Sequence, residues 1–344
     1  MKTKHITEGG ILSALQIVLG LILIPTGIGY SLYVEMILPI TMALIYLRCG
    51  RKISMIAGFN TLLLVAFGFG NIGIAVYAFQ GLGIGFLTGY VLEKNQGVQD
   101  DLILESLMGC LFVLILDLLT AHILGYSLLD DDGITEMVLE MIPGADANII
   151  QSVYYLSIAS VPVAAVLVSY IGTIVLGYRL GLRQTIIKEK YHFMKYYKEL
   201  VPFSYQGKRM AKYTLLGLII NGMLWPYVSQ SYLKAWIACS SAILAYFSLM
   251  DLSKLIGQFI VERYKRPILL LGYHFVLLYA FLNAFWWTCW SILIIGTIID
   301  LKTSIREEQE KQLVYFSNQL KLLKKNGIRE KDKRNVHVRK VLIK

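Results

Sequence analysis

Four polar side chains in otherwise apolar stretches are the residues best suited to bind a solute. They are Glu35, Asn60, Gln80 and Asp117. Ionisable side chains inside a membrane segment are costly and usually face the bundle interior or a water-filled cavity, so they mark candidate functional sites. If the helices that carry these residues surround one cavity, two carboxylates and two amides would form a polar pocket for a small solute. The sequence therefore predicts substrate binding at these four positions.

Each position also has a purely structural explanation. Glu35 could extend its carboxylate to the membrane interface or be protonated there, and Asn60 and Gln80 could form hydrogen bonds between helices, worth about 0.6 kcal/mol each. Asp117 is the strongest single candidate because residues 111–119 are otherwise apolar. The sequence leaves the structural explanations and the shared pocket open side by side.

Three further ionisable residues lie close to the ends of apolar stretches. Glu8 and Glu105 are expected where water or lipid headgroups can solvate a carboxylate. His122 follows Asp117 closely, and we expect it to be an interfacial residue rather than part of a proton relay. If proton transfer through Asp117 did occur, it would couple an ion to transport, as a variant of the solute-binding hypothesis.

Motifs for common enzymatic chemistry are missing from the sequence. It has no H-E-x-x-H, no G-x-S-x-G and no P-loop, which excludes the zinc protease, acyl-transfer and ATPase signatures. Its four cysteines are dispersed, as expected for free thiols. We expect no enzymatic activity, metal or cofactor, so ATP-driven transport would need another subunit. A lipid-modifying enzyme with an acid–base pair drawn from Glu35, Glu105 and Asp117 is the one enzymatic alternative.

The composition predicts that membrane-spanning helices position these residues. Of the 344 residues 56% are hydrophobic and only 16% are charged, and the mean hydropathy of +0.59 excludes an ordinary soluble protein. A helix that crosses the hydrocarbon core needs about 20 apolar residues. Ten stretches approach that length, and we expect an all-α polytopic bundle with spans at 7–24, 30–47, 53–70, 72–92, 102–125, 152–177, 213–229, 233–250, 267–285 and 286–301.

The charge distribution predicts the orientation of these spans. Residues 179–212 carry nine Lys or Arg against two acids, and residues 301–344 carry thirteen against five. The segment 126–150 has six acids and no Lys or Arg. Since basic loops stay in the cytoplasm, ten spans in a bacterial cell membrane with both termini cytoplasmic fit this pattern. Next to membrane spans, the basic and aromatic residues of 179–212 indicate binding to anionic lipid rather than to nucleic acid.

Small residues at intervals of four mark two helix faces. Gly81, Gly85 and Gly89 predict a smooth face against which another helix packs closely. Gly10 and Ala14 form a similar pair in the first span. That pair either packs within the bundle or forms an interface to a partner subunit.

Three short blocks of residues carry a resemblance to a known family. The first is 7–15 (TEGGILSAL), the second comprises 38–40 (LPI) and 48–52 (RCGRK), and the third runs from 257–259 (GQF) through 265–267 (KRP) to 299–301 (IDL) with Arg306. Together they resemble the YybS-type family of bacterial membrane proteins, over nearly the whole chain.

The amino-terminal half of that family is similar to the substrate-binding S components of energy-coupling-factor (ECF) vitamin transporters. Those have six helices with both ends inside, and small residues on the first helix contact the coupling subunit. The resemblance implies that Gly10 and Ala14 would contact the coupling subunit, and that the partners would be ECF-type coupling and ATPase subunits. The chain differs in having Gly10 where alanine is usual, and in four additional spans.

These observations lead to one main hypothesis and one alternative. We expect an S-component-like domain at 1–177, a basic interfacial loop at 178–212, a four-span region at 213–301 and a basic cytoplasmic tail at 302–344. The main hypothesis is a small-solute binding or transport component that depends on a partner module. The alternative is a membrane scaffold or regulator that recruits cytoplasmic proteins or anionic lipid through the loop and the tail.

Overall fold

The computed structural model describes residues 3–26, 32–70, 72–94, 96–125, 147–182, 184–266 and 268–325, together with Ser127, Glu136 and Glu140. Every regular element in these ranges is helical. The predicted all-α class is therefore confirmed for the described part of the chain. Most of the acidic segment 126–150 and the tail from residue 326 onward lie outside the described residues.

Each of the ten predicted stretches overlaps a helix within the described residues. The helices longer than one three-residue turn are α1 (Thr3–Leu23), a π-helical turn (Leu32–Ile37) that leads into α2 (Leu38–Cys49), α3 (Arg51–Phe69), α4 (Ile72–Lys94), α5 (Val98–Leu124), α6 (Ala147–Arg179), α7 (Gln184–Lys195), α8 (Tyr197–Leu200), α9 (Lys208–Leu224), α10 (Ser231–Tyr264), α11 (Ile268–Asn283), α12 (Phe285–Lys302) and α13 (Ile305–Lys325).

Seven of these helices are long and apolar enough to cross a membrane. An eighth span is counted if Trp287–Lys302 and Ile305–Tyr315, which meet at a 77° bend, are one broken span. Large apolar side chains such as Phe67 and Leu282 are exposed on the helices, as expected for surfaces that face lipid. The protein is a multi-pass integral membrane protein. Ten spans remain a prediction, because α9 has 17 residues and α11 has 16.

The chain divides into two compact units. One comprises Met1–Tyr191 with Leu216–Leu244, and the other comprises His192–Leu215 with Ala245–Lys344. The four segments expected from hydropathy and charge are a linear division of the sequence, and they stay a prediction. Helices α9 and α10 each contribute residues to both units, which a linear division of the sequence does not anticipate.

In the first unit, α2 packs against the glycine face of α4. A Cβ atom at Gly81 would lie 2.5 Å from the Val34 carbonyl oxygen, and one at Gly89 would lie 2.5 Å from Cβ of Tyr46. A Cβ at Gly85 would overlap the backbone of Pro39. The close approach of these helices therefore requires glycine, which confirms the predicted smooth packing face.

In the second unit, one buried guanidinium ties three segments together. Arg306, near the start of α13, contacts the carboxylates of Asp251 on α10 and Asp300 on α12, as well as the backbone oxygen of Gln206. Partial burial of the nearby Tyr205 raises the pKa of its phenol, and the Asp251 carboxylate adds to this effect. The bend from α12 to α13 is thus fixed by ionic and hydrogen-bonding contacts as well as by packing.

Candidate functional site

The candidate site is a small pocket between α4 and α5 of the first unit. Its acidic group is Asp117, whose side chain is buried. Residues that line the pocket are Val76, Tyr77 and Gln80 from α4 and Val113, Leu116, Asp117 and Thr120 from α5. The α5 residues fall at positions i, i+3, i+4 and i+7, so they share one face of the helix. The structure therefore brings together two of the four predicted site residues, Gln80 and Asp117.

The Asp117 carboxylate is held by a residue that sequence reasoning missed. The Ser127 hydroxyl donates a hydrogen bond of 2.8 Å to Oδ2 of Asp117, and it lies 3.4 Å from the Tyr232 hydroxyl. Gly125 makes this contact possible, because its φ of +71° ends α5 in a left-handed conformation and turns the chain back. A glycine with a serine two residues later, at the end of an acid-bearing helix, is the signal that the sequence offers.

The pocket combines one carboxyl group with mostly apolar walls. Gln80 is half-buried and contributes an amide, whereas the Thr120 hydroxyl donates to the Leu116 carbonyl of its own helix over 2.8 Å. The cavity has room for about one water molecule. Such a lining suits a chemical group that is positively charged or that donates hydrogen bonds.

Glu35 and Asn60 do not line this pocket, and both side chains are exposed. On α3 the buried residues are Ile53, Ser54, Ala57, Gly58, Thr61 and Val65, and Asn60 falls outside that stripe. Glu35 lies in the π-helical turn beside the buried Tyr33 and Val34. The rotation of each helix about its own axis decides these orientations, and the four polar residues alone do not reveal it.

Gly10 and Ala14 are exposed on α1. A neighbouring face of α1 buries Gly9, Ser13, Gln16 and Gly20. A Cβ at Gly9 would lie 2.6 Å from Cγ2 of Ile53, whereas one at Gly10 would meet no atom within 4 Å. In the described part of the chain, packing within the bundle thus uses Gly9 rather than Gly10. The partner interface at Gly10 and Ala14 stays a prediction.

The three ionisable residues expected near segment ends have different environments. Glu8 is paired with Arg48 at 3.0 Å, and the exposed His122 has Nδ1 2.7 Å from the Leu118 carbonyl oxygen. The expected solvation of Glu105 is wrong, because its side chain is completely buried. Its Oε1 contacts Thr88 of α4, whose hydroxyl also meets Ser169 of α6, a tertiary arrangement that hydropathy does not report.

Among the described residues, no group of three or more His, Cys, Asp or Glu side chains could hold a metal ion. The chain was also compared with known proteins, and no family model, curated protein or solved structure matches it. The YybS-type and S-component resemblances therefore remain hypotheses that rest on the residues that suggested them.

Proposed function

We propose that the protein is a small-solute binding or transport component of the bacterial cell membrane that works with a partner module. One observation carries this proposal: Asp117 is a buried carboxylate at a pocket between two membrane-spanning helices, opposite Gln80. Keeping an acid inside a membrane helix is costly, and such residues commonly mark substrate or ion pathways.

The lining defines the class of solute. A single carboxylate beside an amide favours a solute that presents an amine, another cationic group or several hydrogen-bond donors. Because the pocket has room for about one water molecule, a larger solute enters only when the α4 and α5 faces separate. The partner module would supply the energy for that change, and the exposed Gly10 and Ala14 on α1 offer it a smooth contact surface.

The test is a mild-detergent purification of the tagged protein, followed by mass spectrometry of co-purifying proteins and released small molecules. We expect a metabolite that is present with the unmodified protein and with Glu35→Gln, whose carboxylate is exposed, but that is lost in Asp117→Asn. We also expect an ATPase-containing module that is lost in Gly10→Leu. The proposal is wrong if all variants yield the same small molecules and partners.

The scaffold alternative is favoured by a separate observation. Helix α7 carries the exposed Lys188 and Lys195, and α13 is a charged helix that bends 77° away from α12. The test of the scaffold alternative is truncation after Lys325, since deletion of the whole tail from residue 302 would also remove the buried Arg306. If partners depend on residues 326–344 and not on Asp117, the scaffold function replaces solute binding.

A further inference from the structure

The first unit contains a second buried acidic cluster, distant from the Asp117 pocket. Asp101 and Glu105 lie one turn apart on α5, and both side chains are completely buried. Glu105 precedes Asp117 by three turns of helix, or about 18 Å along the axis. The two clusters are therefore separate sites on one helix.

The charge of Asp101 is compensated. Lys190 of α7 forms an ion pair with Oδ2 of Asp101, and the Tyr170 hydroxyl donates to the same oxygen over 2.7 Å. The Lys190 ammonium also donates to the backbone oxygen of Gln96 over 2.9 Å and is itself buried. Helix α7 thus supplies one cation to the cluster, the Lys190 ammonium, and this cation is paired with Asp101.

The charge of Glu105 is not compensated in this way. Its Oε1 contacts the Thr88 hydroxyl, and its Oε2 has no hydrogen-bond partner. The Thr88 hydroxyl has only one proton to donate. The Ile84 carbonyl oxygen at 3.0 Å and the Ser169 hydroxyl at 2.9 Å can accept that proton in place of Glu105. With two carboxylates and one ammonium, the cluster carries one uncompensated negative charge, which is costly in a buried site.

Helix α6 also contributes a buried oxygen that has no hydrogen-bond partner, Oγ1 of Thr173. The Thr88 hydroxyl meets both Glu105 of α5 and Ser169 of α6, and Asp101 meets Tyr170, so this face of α6 lies near α5. Thr173 lies on the same face of α6, one turn beyond Ser169. Its hydroxyl is buried and makes no hydrogen bond.

The Thr173 hydroxyl does not form the bond to its own helix that is usual for a buried threonine. A buried threonine in a helix commonly donates to the carbonyl four residues earlier, as Thr88 and Thr120 have the geometry to do here. Thr173 makes no such bond. Among the described residues of α5 and α6, three buried side-chain oxygens have no hydrogen-bond partner, namely Oε2 of Glu105, Oδ1 of Asp101 and Oγ1 of Thr173.

We propose that this cluster binds one monovalent cation, either H⁺ or Na⁺, between α5 and α6, with Glu105 as its anionic ligand. Carboxylate and hydroxyl oxygens are the ligands that hard cations prefer. A single positive charge makes the cluster neutral, whereas a divalent ion would leave an excess positive charge beside Lys190. A bound proton forms an O–H bond on Glu105, and a bound Na⁺ is coordinated by the oxygens without breaking any bond.

The titratable groups that face Glu105 are few. They are Asp101 on its own helix, Tyr170 on α6 and Lys190 on α7, while α4 presents only the Thr88 hydroxyl. Asp100 acts on Asp101 from the same helix. This inference does not depend on the proposed solute, because the cation site shares no residue with the Asp117 pocket.

The test measures thermal unfolding of the purified full chain in detergent, with NaCl replaced by choline chloride at constant ionic strength. Binding to the folded state raises the midpoint temperature as the Na⁺ concentration increases. We expect this rise to disappear in Glu105→Gln and to persist in Glu93→Gln, where the matched carboxylate of α4 accepts from Tyr46 over 2.9 Å. That result identifies the cation as Na⁺.

The proton alternative has its own signature. Without Na⁺ dependence, infrared difference spectroscopy between two pH values should show the C=O stretch of a protonated carboxylic acid, absent from Glu105→Gln and present in Glu93→Gln. The inference is overturned if the unmodified protein gives neither signal, or if Glu105→Gln retains the signal that the unmodified protein gives.

A second variant serves if Glu105→Gln does not fold. Thr173→Val keeps all charges and removes one ligand oxygen, so Na⁺ affinity should fall about tenfold or more. The matched control is Thr288→Val, because the Thr288 hydroxyl donates to the Ala284 carbonyl of its own helix over 2.8 Å. Unchanged Na⁺ affinity in Thr173→Val would remove Thr173 from the site and contradict the Na⁺ form of the inference.

Discussion

Arg306 and Asp251 are 55 residues apart in the chain, yet Nη1 of the guanidinium donates to Oδ2 of the carboxylate over 2.8 Å, and both side chains are buried. The same guanidinium donates to Asp300 through Nε over 2.9 Å and to the Gln206 carbonyl over 2.7 Å. A buried ion pair adds little stability over an apolar replacement, but removing one partner leaves a buried charge. Replacement of Arg306 alone should therefore destabilise the second unit more than replacement of both residues by apolar ones.

The first prediction concerns this asymmetry. Arg306→Met leaves Asp251 buried without its cation, so the free energy of unfolding should fall by about 3–5 kcal/mol. The double variant Arg306→Met with Asp251→Leu should recover part of that loss. The measurement is unfolding by dodecyl sulfate in mild detergent. Lys208→Ala is the control, since its pair with Glu307 is exposed and should contribute little. An equal loss of unfolding free energy in Arg306→Met and in Lys208→Ala would contradict this account.

The second prediction concerns the contact between α2 and α4. Gly85→Ala adds a Cβ that overlaps the Pro39 backbone, which cannot move aside as a flexible side chain can. We expect the free energy of unfolding to fall by about 1–3 kcal/mol. Gly10→Ala is the matched substitution in another membrane helix, and its new methyl group meets no atom within 4 Å. A similar loss of stability in both variants would show that helix packing at Gly85 is not the cause.

The third prediction concerns how α7 docks on the first unit. Lys190→Met removes the cation that neutralises the buried Asp101, at a cost of about 3–5 kcal/mol. Residues 184–195 should then exchange their amide hydrogens faster than in the unmodified protein. Lys188→Met is the control, because the Lys188 side chain is exposed on the same helix. Unchanged exchange in Lys190→Met would mean that apolar contacts such as those of the buried Ile187 suffice.

Some of this architecture could be predicted from the sequence and some could not, for physical reasons. A run of apolar residues is a local property, so all ten helical stretches were recognised. The ion pairs of Lys190 with Asp101 and of Arg306 with Asp251 join residues 89 and 55 positions apart, and no local pattern indicates them. The exposure of Asn60 depends on the rotation of α3, which neighbouring helices set. The sequence therefore identified polar residues in the membrane better than it identified their partners.

The last prediction tests the orientation inferred from the basic segments. The four native cysteines are buried, so they should react slowly with a membrane-impermeant maleimide. Labelling of an introduced cysteine can then be detected above this background. In intact cells, Glu140→Cys should be labelled, because its side chain is exposed in the acidic segment that the charge pattern assigns to the outside. Lys188→Cys, exposed on the basic helix α7, should be labelled only after the membrane is permeabilised. Labelling of Lys188→Cys but not of Glu140→Cys in intact cells would invert the topology, and the Asp117 pocket would then lie towards the cytoplasm.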